Sequence, residues 1–344
     1  MQNPFSLSFG KEPLSYISRG LQTEEVMDSF TSQNPAYQVC MITGVRGSGK
    51  TVAMTTIAGM LRKRPDWVVV DLNPERDLLK QAAAELSNRK ELMQMFRDAK
   101  INLSFLGMGI EIDGEPPITD VVVAMRRMLE KLTKAGKRVL FTVDEASSTQ
   151  TFRVFASQIQ IFMREDLNVF LLMTGLYENI ADLQDNKTLT FLYRAPKLEL
   201  KPLNIGLIAN KYKDIFHLTD EESLKMAKVT EGYPFAFQVL GYLCWARQYS
   251  WQEALPEFDA YLEEYVYEKI WSELSVKDRE IVTAISRSEG GKAEAIRDYA
   301  NLSSSMFNVY RKRLMRRGIL CAPAYGYVAF TLPRFKEFVL RNDV

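Results

Sequence analysis

The sequence predicts an α/β fold: a parallel sheet with helices on both faces, then a helical lid, then a C-terminal winged helix-turn-helix. Three observations predict it. Short β-branched apolar runs alternate with helical patterns over residues 1–203, as in a parallel sheet covered on both sides. Gly44-Val45-Arg46-Gly47-Ser48-Gly49-Lys50-Thr51 stands between one such run and a helical pattern, which is P-loop spacing in its required context. From Asn204 the alternation gives way to helices, and the chain closes on helices followed by a hairpin pattern.

Taken in order, residues 1–20 are irregular, with Pro4, Pro13 and Phe9-Gly10, and 24–30 read as helix. Residues 37–43 form a buried strand pattern running straight into the glycine-rich loop, and Val52 opens the helix after it. The glycines let the loop turn tightly and bring its N–H groups close to phosphate oxygens. The helix behind directs its dipole and free amides at the same anion. Lys50 can reach the β- and γ-phosphates, and the Thr51 hydroxyl can ligate Mg²⁺. Trp67-Val68-Val69-Val70-Asp71-Leu72 reads as a second strand and 75–99 as one long helical region. Ile101 to Phe105 and Gly109 to Ile112 alternate around Gly107, the pattern of a hairpin insertion. A helix starts after Thr119 and Asp120 and ends near Lys131 and Lys134, the polarity the helix dipole favours.

Arg138-Val139-Leu140-Phe141-Thr142-Val143 then leads into Asp144-Glu145. Two carboxylates at the C-terminal end of a buried strand lie where open parallel sheets place ligands. Alone, the pair is compatible with a solvated acidic turn; downstream of a P-loop it is a Walker B pattern. Asp144 would hold Mg²⁺, directly or through water, and Glu145 would polarise the attacking water. Residues 158–164 read as helix, 168–175 as a strand ending in Thr174-Gly175, and 192–203 as Arg194, a short strand and a proline boundary.

Composition excludes several classes. The chain has 344 residues, 47% hydrophobic, with formal net charge +1, so it is not a polyelectrolyte binder as a whole. The single histidine, His217, excludes His-rich zinc sites, and it sits between Phe216 and Leu218 where a structural or surface role is expected. Cys40, Cys244 and Cys321 are far apart and give neither a disulfide framework nor metal spacing. With no leader-like or bilayer-spanning run, the expectation is a cytoplasmic protein without a membrane partner.

The helical section contains 221–229, Gly232-Tyr233-Pro234, 235–247, and a helix over 251–274 carrying an acidic face. The last section, 276–344, holds 13 Lys/Arg against 7 Asp/Glu. Its pattern is helix, Gly290-Gly291, helix, a Ser303-Ser304-Ser305 helix start, a stop at Gly318, a hairpin and a final helix, which is the winged-helix plan. Asn308, Arg311, Lys312, Arg313, Arg316 and Arg317 form its candidate recognition face. Helical spacing also divides these cations between faces, so they equally suit a solvated surface or the acidic helix at 251–268.

The P-loop, Asp144-Glu145 and Gly232-Tyr233-Pro234 before an apolar helix resemble the AAA+ superfamily of P-loop NTPases, in particular its STAND branch and related archaeal-type ATPases. The resemblance covers nearly the whole chain. It implies a P-loop NTPase (AAA+-like) core over 1–203, a lid over 204–274 and a winged helix over 275–344. It implies ATP and Mg²⁺ as cofactors, with residues 44–52 and Pro234 binding nucleotide. Thr174 matches the sensor-1 position, and Arg194 the arginine-finger position, which implies a homo-oligomer when ATP is bound. Ser18-Arg19-Gly20-Leu21 stands where relatives often carry Gly-Arg-Glu, and no sensor-2 arginine is identifiable. The expectation is an ATPase of low turnover working as a nucleotide-gated switch, because no pore-loop aromatic motif of a remodelling ring is evident. An Asn-Lys-x-Asp base-reading motif is also missing, which favours adenine over guanine. Its partners are ATP or ADP and duplex DNA through Arg311, Arg313 and Arg316; the alternative is a signalling or assembly protein whose winged helix docks a protein.

Overall fold

The computed structural model describes residues 2–8, 13–102 and 117–342. The chain forms two compact units, one of Arg19–Thr43 and Lys50–Glu199, the other of Met1–Ser18, Gly44–Gly49 and Leu200–Val344.

The first unit is built on a five-stranded parallel sheet in the order β2-β3-β4-β1-β5. Its strands are β1 (Val39–Thr43), β2 (Trp67–Leu72), β3 (Arg138–Val143), β4 (Val169–Gly175) and β5 (Lys197–Glu199). β1 and β4 are buried throughout, and such strands read as continuous apolar runs because both faces are covered. The faces separate by the two-residue period of a strand. Met41, Val70, Phe141, Val143, Leu171 and Met173 join one core with Phe152, Phe155 and Phe162. On β4 the intervening Phe170 meets Phe30 and Trp67 at ring distances of 5.2 and 4.9 Å.

Helices of this unit are α1 (Gly20–Thr31), α2 (Lys50–Arg62), α3 (Leu78–Ser87), α4 (Lys90–Asp98), α5 (Val121–Lys134), α6 (Gln150–Arg164), α7 (Tyr177–Asp185) and α8 (Thr190–Tyr193). Asp120 caps α5 by accepting from the Val122 and Val123 N–H groups at 2.8 and 3.0 Å, and Thr149 caps α6. The long helix expected over 75–99 is two helices. The chain breaks at Arg89, whose backbone is extended and whose guanidinium donates to the Val69 carbonyl. α6 starts eight residues earlier than its apolar periodicity suggests, and α7 and α8 carry too little of a pattern to be read in advance. Of the expected hairpin around Gly107, only Ile101 and Asn102 are described; the rest lies outside the described residues.

The second unit carries α9 (Ile205–Phe216), α10 (Asp220–Val229), α11 (Pro234–Arg247), α12 (Leu255–Leu262), a π-helical turn (Glu263–Tyr267) and α13 (Glu268–Ser272). α14 (Val276–Arg287), α15 (Ala293–Tyr299), α16 (Ser304–Arg316), the antiparallel pair β6 (Leu320–Cys321) and β7 (Ala329–Phe330), and α17 (Phe335–Asn342) follow. A further bridge joins Lys292 to Tyr327. Reciprocal capping boxes start α10 (Thr219/Glu222) and α14 (Ser275/Asp278). One core joins Tyr212, Phe237, Phe258, Tyr267, Ile281, Phe307, Leu314 and Phe335. Phe5 contributes from the N-terminus, stacked 5.7 Å from Phe216.

The acidic stretch 251–274 is largely paired. Glu257 meets Arg247 at 3.0 Å, Asp259 meets Arg334 and Glu263 meets Arg341, and Glu273 meets Arg317 at 3.6 Å. Much of the C-terminal basic surplus is thus neutralised within its own unit.

Candidate active site

Register decides which side chains meet. In β3, Val143 pairs with Met173, so the next residue, Asp144, falls level with Thr174 on β4. On the other side of β4, Ile42 of β1 pairs with Thr174. Thr174 therefore sits on the strand between the one that leads into the glycine-rich loop and the one that ends in the carboxylates. It is fully buried, and its hydroxyl donates to Asp144 Oδ1. The Thr174 hydroxyl oxygen in turn accepts the Glu145 N–H at 3.1 Å. From α2, the Thr51 hydroxyl donates to Asp144 Oδ2 at 2.8 Å. Asp144 is thus held at both carboxylate oxygens by hydroxyls from two other elements.

Glu145 has φ +54, a left-handed backbone uncommon for a glutamate. Its N–H also lies 3.2 Å from Asp144 Oδ1, and the Ala146 N–H donates to the Thr174 carbonyl at 2.8 Å. These bonds turn the chain sharply at the C-terminal end of β3 and leave Glu145 exposed.

The loop from Gly44 to Gly49 is a tight turn, with the Ser48 N–H donating to the Val45 carbonyl at 3.2 Å. Gly47 and Gly49 have φ +74 and +88. A Cβ on Gly49 would have no described atom within 4 Å, so its backbone faces open space where an anion can approach. Lys50, only 9% exposed, begins α2, whose helix is 13 residues long. Loop amides, a helix N-terminus and a lysine fit a polyphosphate. A threonine hydroxyl on an aspartate fits Mg²⁺, which takes one or two protein oxygens and completes its shell with phosphate and water.

Tyr233, immediately before α11, donates its hydroxyl to the Arg46 carbonyl of the loop at 2.6 Å. This contact is not readable from the sequence; the signal available was only that a buried phenol needs an acceptor. Pro234 is the first residue of α11.

Of the residues singled out in the sequence, hydrogen bonds bring Thr51, Asp144, Glu145 and Thr174 together. Arg194 is the exposed C-cap of α8, just ahead of β5, and Val52 lies within α2. His217 is the left-handed C-cap of α9, away from these groups in the sequence of elements. Cys40 is a core residue of β1, and burial, with a smaller contribution from Glu25, pushes its thiol up to about 12; it is no nucleophile.

The candidate DNA-contacting cations divide between internal pairs and exposed positions, as their helical spacing suggested. Arg313 does not stand free on α16: its guanidinium pairs with Asp278, whose side chain is 3% exposed, and lies 4.7 Å from the Tyr310 ring centroid. Arg317 donates to the Glu273 carbonyl at 3.1 Å. Lys312 is exposed. A buried acid attracts the nearest arginine, and that pairing is invisible to a count of charges.

Residues 264–339 match a family described as a domain of unknown function (DUF8462). A comparison with curated proteins gives no significant match. Among solved structures, the chain is similar to the Walker-type ATPase PABY2304 of Pyrococcus abyssi, with TM-score 0.66 and 15% identity over 95% of this chain and 96% of that one. It is also similar to the ORC2 protein of Aeropyrum pernix, solved as ADPNP-ADP complexes, with TM-score 0.57 and 12% identity over 94% and 92% of the two chains. At these identities the likeness is one of fold, and it agrees with the strand order and the glycine-rich loop: the chain has a P-loop NTPase fold built on a five-stranded parallel sheet.

Proposed function

We propose that the protein binds ATP with Mg²⁺, hydrolyses it slowly and works as a nucleotide-gated switch. The observation that carries this reading is the Thr51–Asp144–Thr174 hydrogen-bonded set beside a P-loop. Loop amides and Lys50 bind and orient the phosphates. Thr51 and Asp144 hold the metal, which when bound neutralises phosphate charge. Glu145 orients the attacking water and accepts its proton, and Thr174 fixes Asp144 and the Glu145 backbone. Arg194 acts on the nucleotide of a neighbouring copy, so the ATP-bound protein assembles. Residues 1–203 serve as the ATPase core, 204–274 as a lid and 275–344 as a winged helix, in a reducing cytoplasm. Calorimetry tests the reading: wild type binds ATP, Lys50→Ala abolishes binding, and Glu145→Gln binds but does not turn over. Wild type without ATP affinity overturns it.

We further propose that the C-terminal section binds duplex DNA through α16, with Arg311, Lys312 and Arg316 as phosphate contacts and Arg313 holding the helix in place. Affinity then falls steeply with salt. Binding measured across a salt series on wild type and Arg311→Ala/Lys312→Ala decides it. The internal pairing of Arg313 and Arg317 favours a second reading in which this section docks a protein, and DNA affinity that ignores both salt and the double substitution selects that one.

A further inference from the structure

The Tyr233 hydroxyl and the Arg46 carbonyl are 187 residues apart in sequence and 2.6 Å apart in space. Tyr233 is 3% exposed, and its ring sits so close that a Cβ on Gly47 would lie 2.1 Å from the hydroxyl oxygen and 2.8 Å from Cζ. Burial raises the phenol well above its ordinary range, and Arg46 opposes this only in part, so Tyr233 remains a hydrogen-bond donor at physiological pH.

The geometry has a consequence for the loop. The Arg46–Gly47 peptide is trans, and in a trans peptide the C=O and the following N–H point in opposite directions. Fixing the Arg46 carbonyl therefore fixes the Gly47 N–H. Gly47, with φ +74, has no Cβ to hold that plane in place, and an unheld peptide beside a glycine is free to rotate. The phenol also polarises the amide it binds, strengthening the N–H as a donor.

We infer that Tyr233 is a positioning residue for phosphate recognition: its hydroxyl holds the Gly47 N–H in the orientation an anion needs and couples phosphate binding to helix α11. The inference rests on the nucleotide-binding reading above. Tyr233 is the N-cap residue of α11, so its hydroxyl moves with that helix. By linkage, whatever phosphate binding gains from the locked peptide, the α11 position gains from bound phosphate. The same contact explains why residue 47 is glycine on the side of the loop facing Tyr233.

The test is Tyr233→Phe, which keeps the ring and removes only the donor. Calorimetry with ATP and with inorganic tripolyphosphate should show affinity reduced by about 3- to 10-fold for both, because the loss lies at the phosphates. Amide hydrogen exchange supplies a second measurement. In wild type, saturating ATP slows exchange in the loop and in α11; in Tyr233→Phe it slows the loop alone. Tyr233→Phe with both affinities within twofold of wild type and α11 still protected overturns the inference while leaving nucleotide binding standing. So does a wild type that binds ATP without protecting α11. Wild type that binds neither ligand removes the nucleotide reading itself, and the inference with it.

Discussion

Thr51 and Asp144, 93 residues apart, are joined by a 2.8 Å hydrogen bond from hydroxyl to carboxylate. One stands in the first turn of α2 and the other directly after β3, so the bond ties the loop's helix to the strand two places away in the sheet. A hydroxyl and a carboxylate at this spacing offer two oxygen ligands to a hard cation.

Asp144→Asn tests that role. The amide keeps the shape and one acceptor but loses the charge. ATP affinity of wild type should drop about tenfold or more when Mg²⁺ is removed with EDTA, whereas the variant should respond little, since its site no longer favours the cation. Titration calorimetry with and without EDTA reads this directly. Equal EDTA sensitivity in the two proteins would show that Asp144 holds no metal.

Thr174→Val replaces the hydroxyl between Asp144 and the Glu145 N–H by a methyl of similar size. Binding of ATP depends mainly on the loop and should stay within about threefold. Turnover should fall by roughly tenfold or more, because both carboxylate residues lose the contact that orients them. Steady-state phosphate release gives the rate and calorimetry the affinity. A parallel loss of both would assign Thr174 to ground-state binding.

Arg313→Ala leaves Asp278 deeply buried without its cation while Asp278 also completes the capping box of α14. Breaking such a pair from one side costs more than the pair contributes, though the half-exposed arginine limits the effect. A loss of about 1–3 kcal/mol is expected. Lys312→Ala, on an exposed side chain, should change stability by about 0.5 kcal/mol or less. Urea unfolding of the two variants distinguishes them, and comparable losses would mean that the Arg313 pair carries no special weight.

What could be read from the sequence follows from the range of the physics involved. The P-loop is legible because its chemistry depends on neighbours within eight residues, Asp144-Glu145 only because that loop stands upstream of it, and the buried strands because burial on both faces makes continuous apolar runs. Thr174 needed a resemblance, since only the sheet order sets it beside Asp144. The break at Arg89 depends on a side chain reaching the Val69 carbonyl of another element, and the π-helical turn over Glu263–Tyr267 hides inside an unbroken helical pattern. The Arg313–Asp278 and Tyr233–Arg46 contacts span 35 and 187 residues, and no local pattern announces either.

Gly47 and Gly49 allow a final contrast, because both are left-handed and only one is crowded. Alanine at Gly49 meets strain but no described neighbour within 4 Å, so stability should fall by about 1–2 kcal/mol, the cost of a left-handed non-glycine residue. The new methyl nevertheless stands at the open face of the loop, and ATP binding should be lost. Alanine at Gly47 carries the same strain and in addition drives its Cβ into the Tyr233 hydroxyl at 2.1 Å and towards the Phe235 Cβ at 3.1 Å. Tyr233 and Phe235 flank the start of α11, and the aromatic core below cannot yield cheaply. The loss there should exceed that of Gly49→Ala by about 1–3 kcal/mol. Urea unfolding of the two variants in the absence of nucleotide isolates the difference. Equal stabilities would mean that Tyr233 leaves the loop without cost, and would count against its hold on the Arg46 carbonyl.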